Sequence, residues 1–352
     1  MSRVAMDRVC IVMMSAVGDA VHVLPVLHAL KRTHPAMHVT WVLQPGPASL
    51  VRGHPLVDDI ILFERSAGAR GFLDIRRTLA SRRFDLVVNL QVYFKAGIIT
   101  AFTRAPVKLG FDRARARDFN WLFTTHRIPP HAMQHVQDQY FEFTDWLGAP
   151  REPVTWGLGP WSDAERAWQR EFVSRFDRPI APLVVATSKP EKDWAPERWS
   201  EVCDALWHDF GLQPVLVGSR SPRELHAERV ILERAAVKPF SALGNGGLRG
   251  LVAIFDAAAL VLSPDTGPLH IGVALDRPVV SLIGYSNPKR VGPYRKFGDL
   301  MIDAYGDPGE DYPISMENRP GRMPRIQVRD VLDKVERWRT AYRDASPKAT
   351  GS

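Results

Sequence analysis

Asp265-Thr266-Gly267-Pro268-Leu269-His270 follows the apolar run at 257–262 and leads into a helix-like stretch at 269–275. The order reads as a buried strand, a tight polar turn and a helix N-terminus. A helix start presents unpaired backbone N–H groups and the positive end of the macrodipole, so it suits a phosphate. Gly267 lets the backbone come close to a ligand, and Thr266 adds a hydroxyl. His270, one turn further in, can donate to a phosphate oxygen. The same residues also make an ordinary capped turn, because Asp and Thr favour helix starts without any ligand.

A second turn of this kind lies near the other end of the chain. Ser15-Ala16-Val17-Gly18-Asp19 follows the apolar run at 9–14, and beyond it Val21, Leu24, Leu27 and Leu30 recur at helical spacing. Pro25 is expected in or near the first turn of that helix, where its missing N–H costs least. Gly18 and Asp19 are thereby delivered to the carboxyl edge of a sheet, where open α/β folds bind their ligands. Asp19 reads in two ways, as a helix cap or as a general base.

Strand and helix patterns alternate in two blocks. In the first block strands are predicted at 9–14, 38–43, 59–63, 86–90 and 107–110, with helices notably at 20–32 and 71–81. In the second, strands are predicted at 183–186, 214–217, 260–262 and 279–283. Their helices fall at 196–209, 223–236, 248–256 and 269–275. Short, nearly continuous apolar strands between helices imply parallel sheets covered on both faces. The Gly- and Pro-rich stretch 147–160 is the boundary, followed by a helix at 162–176. This divides the chain into a first domain at 1–155 and a second at 156–325. A closing helix segment follows at 326–344, and the small, polar tail at 345–352 reads as disordered.

At 352 residues the chain has room for about two domains, each with its own core. Cys10 and Cys203 stand far apart inside apolar segments, which excludes a disulfide framework and a Cys-rich metal site. The run after Arg3 and Arg8 lacks a small-x-small cleavage site, and no apolar run approaches the ~20 residues that span a bilayer. A cytoplasmic location is expected. The charge is uneven: residues 65–117 hold twelve Lys and Arg against three acids, a net +9, while the whole chain carries +7. Such a face attracts polyanions, among them an anionic lipid surface or a phosphorylated acceptor. It also reads as a solvated helix surface. Phe111, Phe119, Trp121 and Phe123 lie in or beside this window. No RNA-binding or helix-turn-helix signature organises them, so no nucleic-acid partner is expected.

Two further strand-end loops carry suitable chemistry. Ser188-Lys189-Pro190-Glu191-Lys192-Asp193-Trp194 brings a cation that can neutralise a departing diphosphate, or merely a solvated lysine. Gly218-Ser219-Arg220-Ser221-Pro222-Arg223-Glu224 brings a carboxylate that can accept from ribose hydroxyls or stabilise a helix start.

Together these residues resemble glycosyltransferase family 9, the heptosyltransferases that build the inner core of lipopolysaccharide. The similarity runs from Gly18-Asp19 with Leu24-Pro25 and Leu30, through 83–91 and Lys95, to Lys192-Asp193-Trp194 with Pro196, Arg198 and Trp199. It is strongest at 265–270 with Ala274-Leu275, Pro278, Gly284 and Gly292-Pro293-Tyr294. Two departures stand out: Gln91-Val92-Tyr93 where the family usually has Gln-Gly-Leu, and Gly272-Val273 where it more often has two alanines. The resemblance implies a GT-B architecture, two Rossmann-like parallel-sheet domains facing across a cleft, with the last helix packing back on the first domain. It also implies inverting, metal-independent transfer of heptose from ADP-heptose to an anionic lipid A–Kdo acceptor, without a cofactor, by an enzyme peripheral to the cytoplasmic face of the inner membrane.

By the same resemblance Asp19 is the base and Lys192 a catalytic cation. Gly18, Ser188, Glu224, Asp265, Thr266, Gly267 and His270 bind the donor, while Lys95, Arg113 and Arg115 face the acceptor. Asp-Thr-Gly also marks aspartic proteases, but those need two such carboxylates in an all-β fold. A dinucleotide fold would want Gly-x-Gly-x-x-Gly where residues 15–18 hold one glycine. The remaining alternatives are a non-catalytic binder of nucleotide-sugars or polyanions, and a family member using another donor sugar.

Overall fold

The computed structural model describes residues 4–343, and the tail predicted at 345–352 lies outside them. The chain divides into two compact units, residues 1–157 and 158–352. In the first unit β1 (Arg8–Val12) is followed by α1 (Val17–Thr33), β2 (His38–Leu43), α2 (Pro45–Val51) and β3 (Asp59–Leu62). Next come α3 (Ala69–Ala80), β4 (Leu86–Asn89), α4 (Phe94–Phe102), β5 (Val107–Gly110), β6 (His126–Arg127) and α5 (Val136–Trp146). The second unit starts with α6 (Asp163–Val173), β7 (Ile180–Val184), α7 (Pro196–His208), β8 (Gln213–Val217) and α8 (Pro222–Arg234). It continues through β9 (Phe240–Ser241), α9 (Gly247–Asp256), β10 (Val261–Pro264), α10 (Gly267–Ala274) and β11 (Val279–Ile283). The last elements are α11 (Pro288–Val291), β12 (Met301–Asp303) and α12 (Val328–Ala341).

Each unit holds a six-stranded sheet, in the orders β3-β2-β1-β4-β5-β6 and β12-β11-β10-β7-β8-β9, and every ladder is parallel. Counted within its own unit, each sheet has the 3-2-1-4-5-6 order of the doubly wound Rossmann fold. The central strands β4, β7, β8, β10 and β11 are buried at every residue, as strands covered by helices on both faces must be. The two parallel sheets match the Rossmann-like pair that the sequence implies.

Local chemistry explains the elements. α6 opens on a capping box: the Ser162 hydroxyl accepts from the Glu165 N–H, and the Glu165 carboxylate accepts from the Ser162 N–H. α1 is buried along almost its whole length, from Ala20 to Leu30. Pro25 lies well inside it rather than in its first turn, because the helix begins at Val17. Cys10 and Cys203 are buried, unpaired thiols, and burial pushes Cys10 up to about 12.

α12 completes the core of the second unit. Its apolar face belongs to the second unit: Val331, Val335 and Trp338 are buried in that unit's core, and the Trp338 indole N–H donates to the Ala259 carbonyl at 3.0 Å.

The Glu165 carboxylate also ties α6 to α9, accepting from Arg249 Nε at 2.7 Å and Nη2 at 2.9 Å. The Arg249 hydrogen bonds hold its pKa at about 2, below the ordinary 4.5. A depressed carboxyl pKa gives stability that is present above about 4.5 and lost as pH falls toward 2. Glu165→Gln is therefore expected to unfold at lower urea than the parent at pH 7 and to converge with it by pH 2. Equal midpoints at pH 7 would remove the pair from the stability of this unit.

Candidate active site

Sheet order reverses between β1 and β4 in one unit and between β7 and β10 in the other. Connections leave such neighbours in opposite directions, so the loops at their carboxyl ends diverge and open a crevice. The four loops singled out from sequence follow β1, β7, β8 and β10, so three of them leave strands at these reversal points.

In the second unit the loop after β7 is braced by its own polar groups. The Thr187 N–H donates to Asp193 Oδ1 at 2.6 Å, and Asp193 Oδ2 pairs with Arg223 at 2.8 Å. Arg223 also donates to the Thr187 carbonyl at 2.6 Å. Burial pushes the Asp193 carboxyl above its ordinary range against the opposing pull of Thr187 and Arg223. Ser188 is exposed on this loop. From the short turn at Pro190–Lys192, Lys192 Nζ reaches Asp265 Oδ2 at 2.5 Å, so two residues picked from separate motifs meet across the β7/β10 boundary. The Tyr285 ring lies 5.9 Å from this ammonium and 5.5 Å from that of Lys189.

Thr266 is the N-cap of α10 in extended conformation, and its hydroxyl makes no capping hydrogen bond. Pro268, in the first turn, has no N–H to satisfy. The hydroxyl of Thr266 and the Gly267 N–H therefore mark the open end of the helix, with His270 buried behind them. Gly272 has a packing reason: a Cβ there would come within 2.7 Å of Val279 Cγ2 on β11.

Glu224 is used locally. Its carboxylate accepts from the Ser219 N–H at 2.9 Å, the Ser221 N–H at 3.0 Å and the Ser219 hydroxyl. Burial works to raise its pKa, but these hydrogen bonds outweigh burial and hold it below the ordinary range. Gly218 is required beside it, since a Cβ would lie 2.5 Å from Glu224 Oε1. The motif residues Trp194 and Trp199 are core side chains with ring centroids 4.7 Å apart, and the Trp194 indole donates to the Ile326 carbonyl at 3.0 Å.

In the first unit Gly18 and Asp19 occupy the first turn of α1. Asp19 Oδ2 accepts from the Ala16 N–H at 2.8 Å, and Oδ1 accepts from the Tyr140 hydroxyl at 2.9 Å. The carboxylate is thus a cap and also a group aimed by a phenol from α5. Gln91, at the end of β4, fixes the turn before it, accepting from the Met14 N–H at 3.1 Å and donating to the Ser15 carbonyl at 2.9 Å. Lys95 is exposed in the first turn of α4, and exposed Arg113 lies over the Trp121 ring at 4.5 Å.

Arg115, expected from sequence to face the acceptor, is heavily paired within its own unit. Its guanidinium is buried with Asp112, binds both Glu142 oxygens at 2.7 Å and donates to the Pro129 carbonyl at 3.0 Å. A guanidinium saturated in this way holds the fold together. Tyr140 was missed in sequence because it lies 121 residues from its partner on a helix with no motif. Among the described residues, no three His, Cys, Asp or Glu side chains are grouped as a metal ion would need. An open depression lined by Asp303, Asp307, Tyr312 and Lys334 sits at the β12 edge, apart from these loops.

Each unit thus carries a Rossmann-type sheet, with the Asp19 carboxylate at the reversal point of the first and the Lys192 ammonium beside a helix N-terminus at that of the second. The profile of glycosyltransferase family 9 (heptosyltransferase) matches residues 72–303, and the chain belongs to that family. It is 29% identical over 342 residues to the lipopolysaccharide core heptosyltransferase OpsX of Haemophilus influenzae, covering 95% of this chain and 97% of the relative. Its fold is that of the family 9 glycosyl transferase of Veillonella parvula, with a TM-score of 0.80 at 23% identity over 94% of this chain and 97% of that one. It also matches the E. coli heptosyltransferase WaaC solved with ADP, with a TM-score of 0.74 at 23% identity over 96% and 99% of the two chains.

Tyr140→Phe removes one hydrogen bond to a carboxylate and little packing. Transferase turnover is expected to fall about tenfold, the worth of one charge-assisted hydrogen bond, with nucleotide affinity unchanged in calorimetry. Full turnover would mean that Ala16 alone orients Asp19.

Proposed function

We propose that this protein transfers heptose from ADP-heptose to the Kdo/heptose inner core of lipopolysaccharide, with inversion at the anomeric carbon and without a metal. The observation that carries the reading is the Lys192–Asp265 pair, 2.5 Å long, beside the open N-terminus of α10. A departing diphosphate needs positive charge at the oxygen that leaves the sugar. Lysine, the helix end and a hydrogen bond from His270 supply it in one place. Asp265 keeps the ammonium neutralised and oriented until the diphosphate takes over as its partner.

Asp19 acts as the base. It removes the proton from the acceptor hydroxyl as that oxygen bonds to the anomeric carbon. The bond from that carbon to the diphosphate oxygen breaks on the opposite face, and ADP leaves with the electron pair. A base held through both oxygens needs no reorganisation when the acceptor arrives, which is the advantage of the Tyr140 and Ala16 contacts. Ser188 lies on the loop that follows β7 and Glu224 in the first turn of α8, where the donor's ribose and phosphates are bound in this reading. The acceptor's phosphates and carboxylates meet Lys95 and Arg113. The enzyme works in the cytoplasm, at the inner face of the membrane that carries its acceptor.

Transfer from ADP-heptose to Kdo-bearing lipid A is expected to continue in EDTA and to give the anomer opposite to that of the donor, read by NMR of the product. Asp19→Asn is expected to abolish transfer while ADP still binds in calorimetry. Lys192→Ala is expected to lower turnover by about 100- to 1000-fold, the usual cost of one group that stabilises developing charge. ADP binding with no transfer by the parent protein would favour a non-catalytic binder or another donor sugar.

A further inference from the structure

Seven large apolar side chains stand exposed among the described residues, and four of them, Tyr93, Phe94, Phe119 and Leu122, come from two segments packed against each other. Tyr93 and Phe94 begin α4. Phe119 caps a short 3-10 turn at Asn120–Phe123, and Leu122 lies within it. The segments are fastened by the Arg117 N–H donating to the Val92 carbonyl at 2.8 Å and by Asn120 Nδ2 donating to the Tyr93 carbonyl at 2.7 Å. Phe123 packs edge-on against Phe94 at 5.6 Å and covers Gly97, where any Cβ would collide with its ring. Asn120 is buried and also accepts from Asn89 Nδ2 at 3.2 Å, so the turn is anchored to the end of β4.

Phe119 is the most exposed of the seven at 66%, and it has a left-handed backbone with φ 60 after Asp118 at φ 50. A bulky residue adopts that region at a cost of about 1–3 kcal/mol. The fold therefore spends backbone strain and a buried polar anchor on holding an aromatic ring out into solvent. Cations surround the rings: Lys95 follows Phe94, and Arg113 and Arg127 lie over Trp121 at 4.5 and 5.4 Å. Among the acids of this segment, Asp118 precedes Phe119, while Asp112 is consumed by Arg115.

We propose that the surface formed by Tyr93, Phe94, Phe119 and Leu122 is a membrane-docking wedge that inserts at the headgroup level of an anionic bilayer. The Tyr93 ring, apolar with a polar hydroxyl, settles at that depth, Phe94, Phe119 and Leu122 add apolar area, and the flanking cations meet the negative surface potential. Nucleic acid suits this surface less well. The Trp121 face on which a base would stack is already covered by Arg113, and Leu122 offers aliphatic area rather than a stacking face. The proposal rests on the lipid-anchored acceptor of the preceding section. It adds the element that brings the enzyme to the surface where that acceptor lies.

The test uses the full chain and sedimentation with sucrose-loaded vesicles, either phosphatidylglycerol-rich or purely phosphatidylcholine. The parent is expected to pellet about tenfold more with the anionic vesicles, and less at 0.5 M salt. The variant Phe119→Asn with Leu122→Gln keeps a residue that tolerates positive φ and changes only exposed groups. It is expected to lose about tenfold in vesicle binding while keeping its circular dichroism, its ADP affinity and its turnover on a water-soluble, deacylated acceptor. Equal pelleting of parent and variant, or no preference for anionic vesicles, overturns the wedge. So does parent protein that ignores vesicles but binds RNA or self-associates through these residues. A parent that binds vesicles through the wedge yet transfers no heptose leaves the wedge standing and defeats the preceding reading instead.

Discussion

Parallel strands cannot be joined by tight hairpins, so each must be followed by a connection that crosses one face of the sheet and returns. The position of every functional group in this protein depends on that constraint. It makes both sheets doubly wound, and it forces the connections after β1 and β4, and after β7 and β10, to part company at their carboxyl ends. Buried apolar strands supply the rigid floor, and polar loops are left at one edge of each sheet. Asp19, Gln91, Lys192 and Asp265 all stand just beyond a central strand. Chemistry on such loops inherits the precision of the strands beneath them.

Much of the fold was legible. β2, β5 and β11 were read to the residue, with Pro106 and Gly110 marking the limits of β5 and Pro278 and Gly284 those of β11. β7 starts at Ile180, three residues before the predicted 183–186, and Pro182 is part of it. That proline lies opposite Val215 of β8, and pairing toward β10 is reduced to Leu262 with Leu183. α4 and α5 went unnoticed, and with them Tyr140, since a hydrogen bond across 121 residues leaves no periodic trace. Arg115 shows another limit of the sequence. Charge along a sequence does not reveal which cation is already paired, and a guanidinium buried against Glu142 has the same letter as one on the surface.

The candidate site was legible as a set of turns but not as a set of partners. Spacing placed a lysine after one strand and Asp-Thr-Gly after another, and only the strand order brings Lys192 to Asp265. Glu224 illustrates how one carboxylate serves two demands. It closes the start of α8 and stays ionised through hydrogen bonds that outweigh its burial, so any ligand hydroxyl would join an acceptor already shaped by Ser219 and Ser221. Such sharing between fold and chemistry means that substitutions there disturb both at once.

The burial of Trp338 in the second unit bears on how the protein is made. Synthesis is vectorial, and the first unit has all its strands and α5 once residue 146 has emerged. The second unit lacks part of its core until Trp338 follows, after a delay of about 10–40 s at usual elongation rates. During that interval the apolar sites beside Ala259 and Leu300 that α12 will fill stay open. A nascent chain stalled before α12 would carry a finished first unit tethered to a second that still exposes its core, which is the kind of surface that chaperones bind.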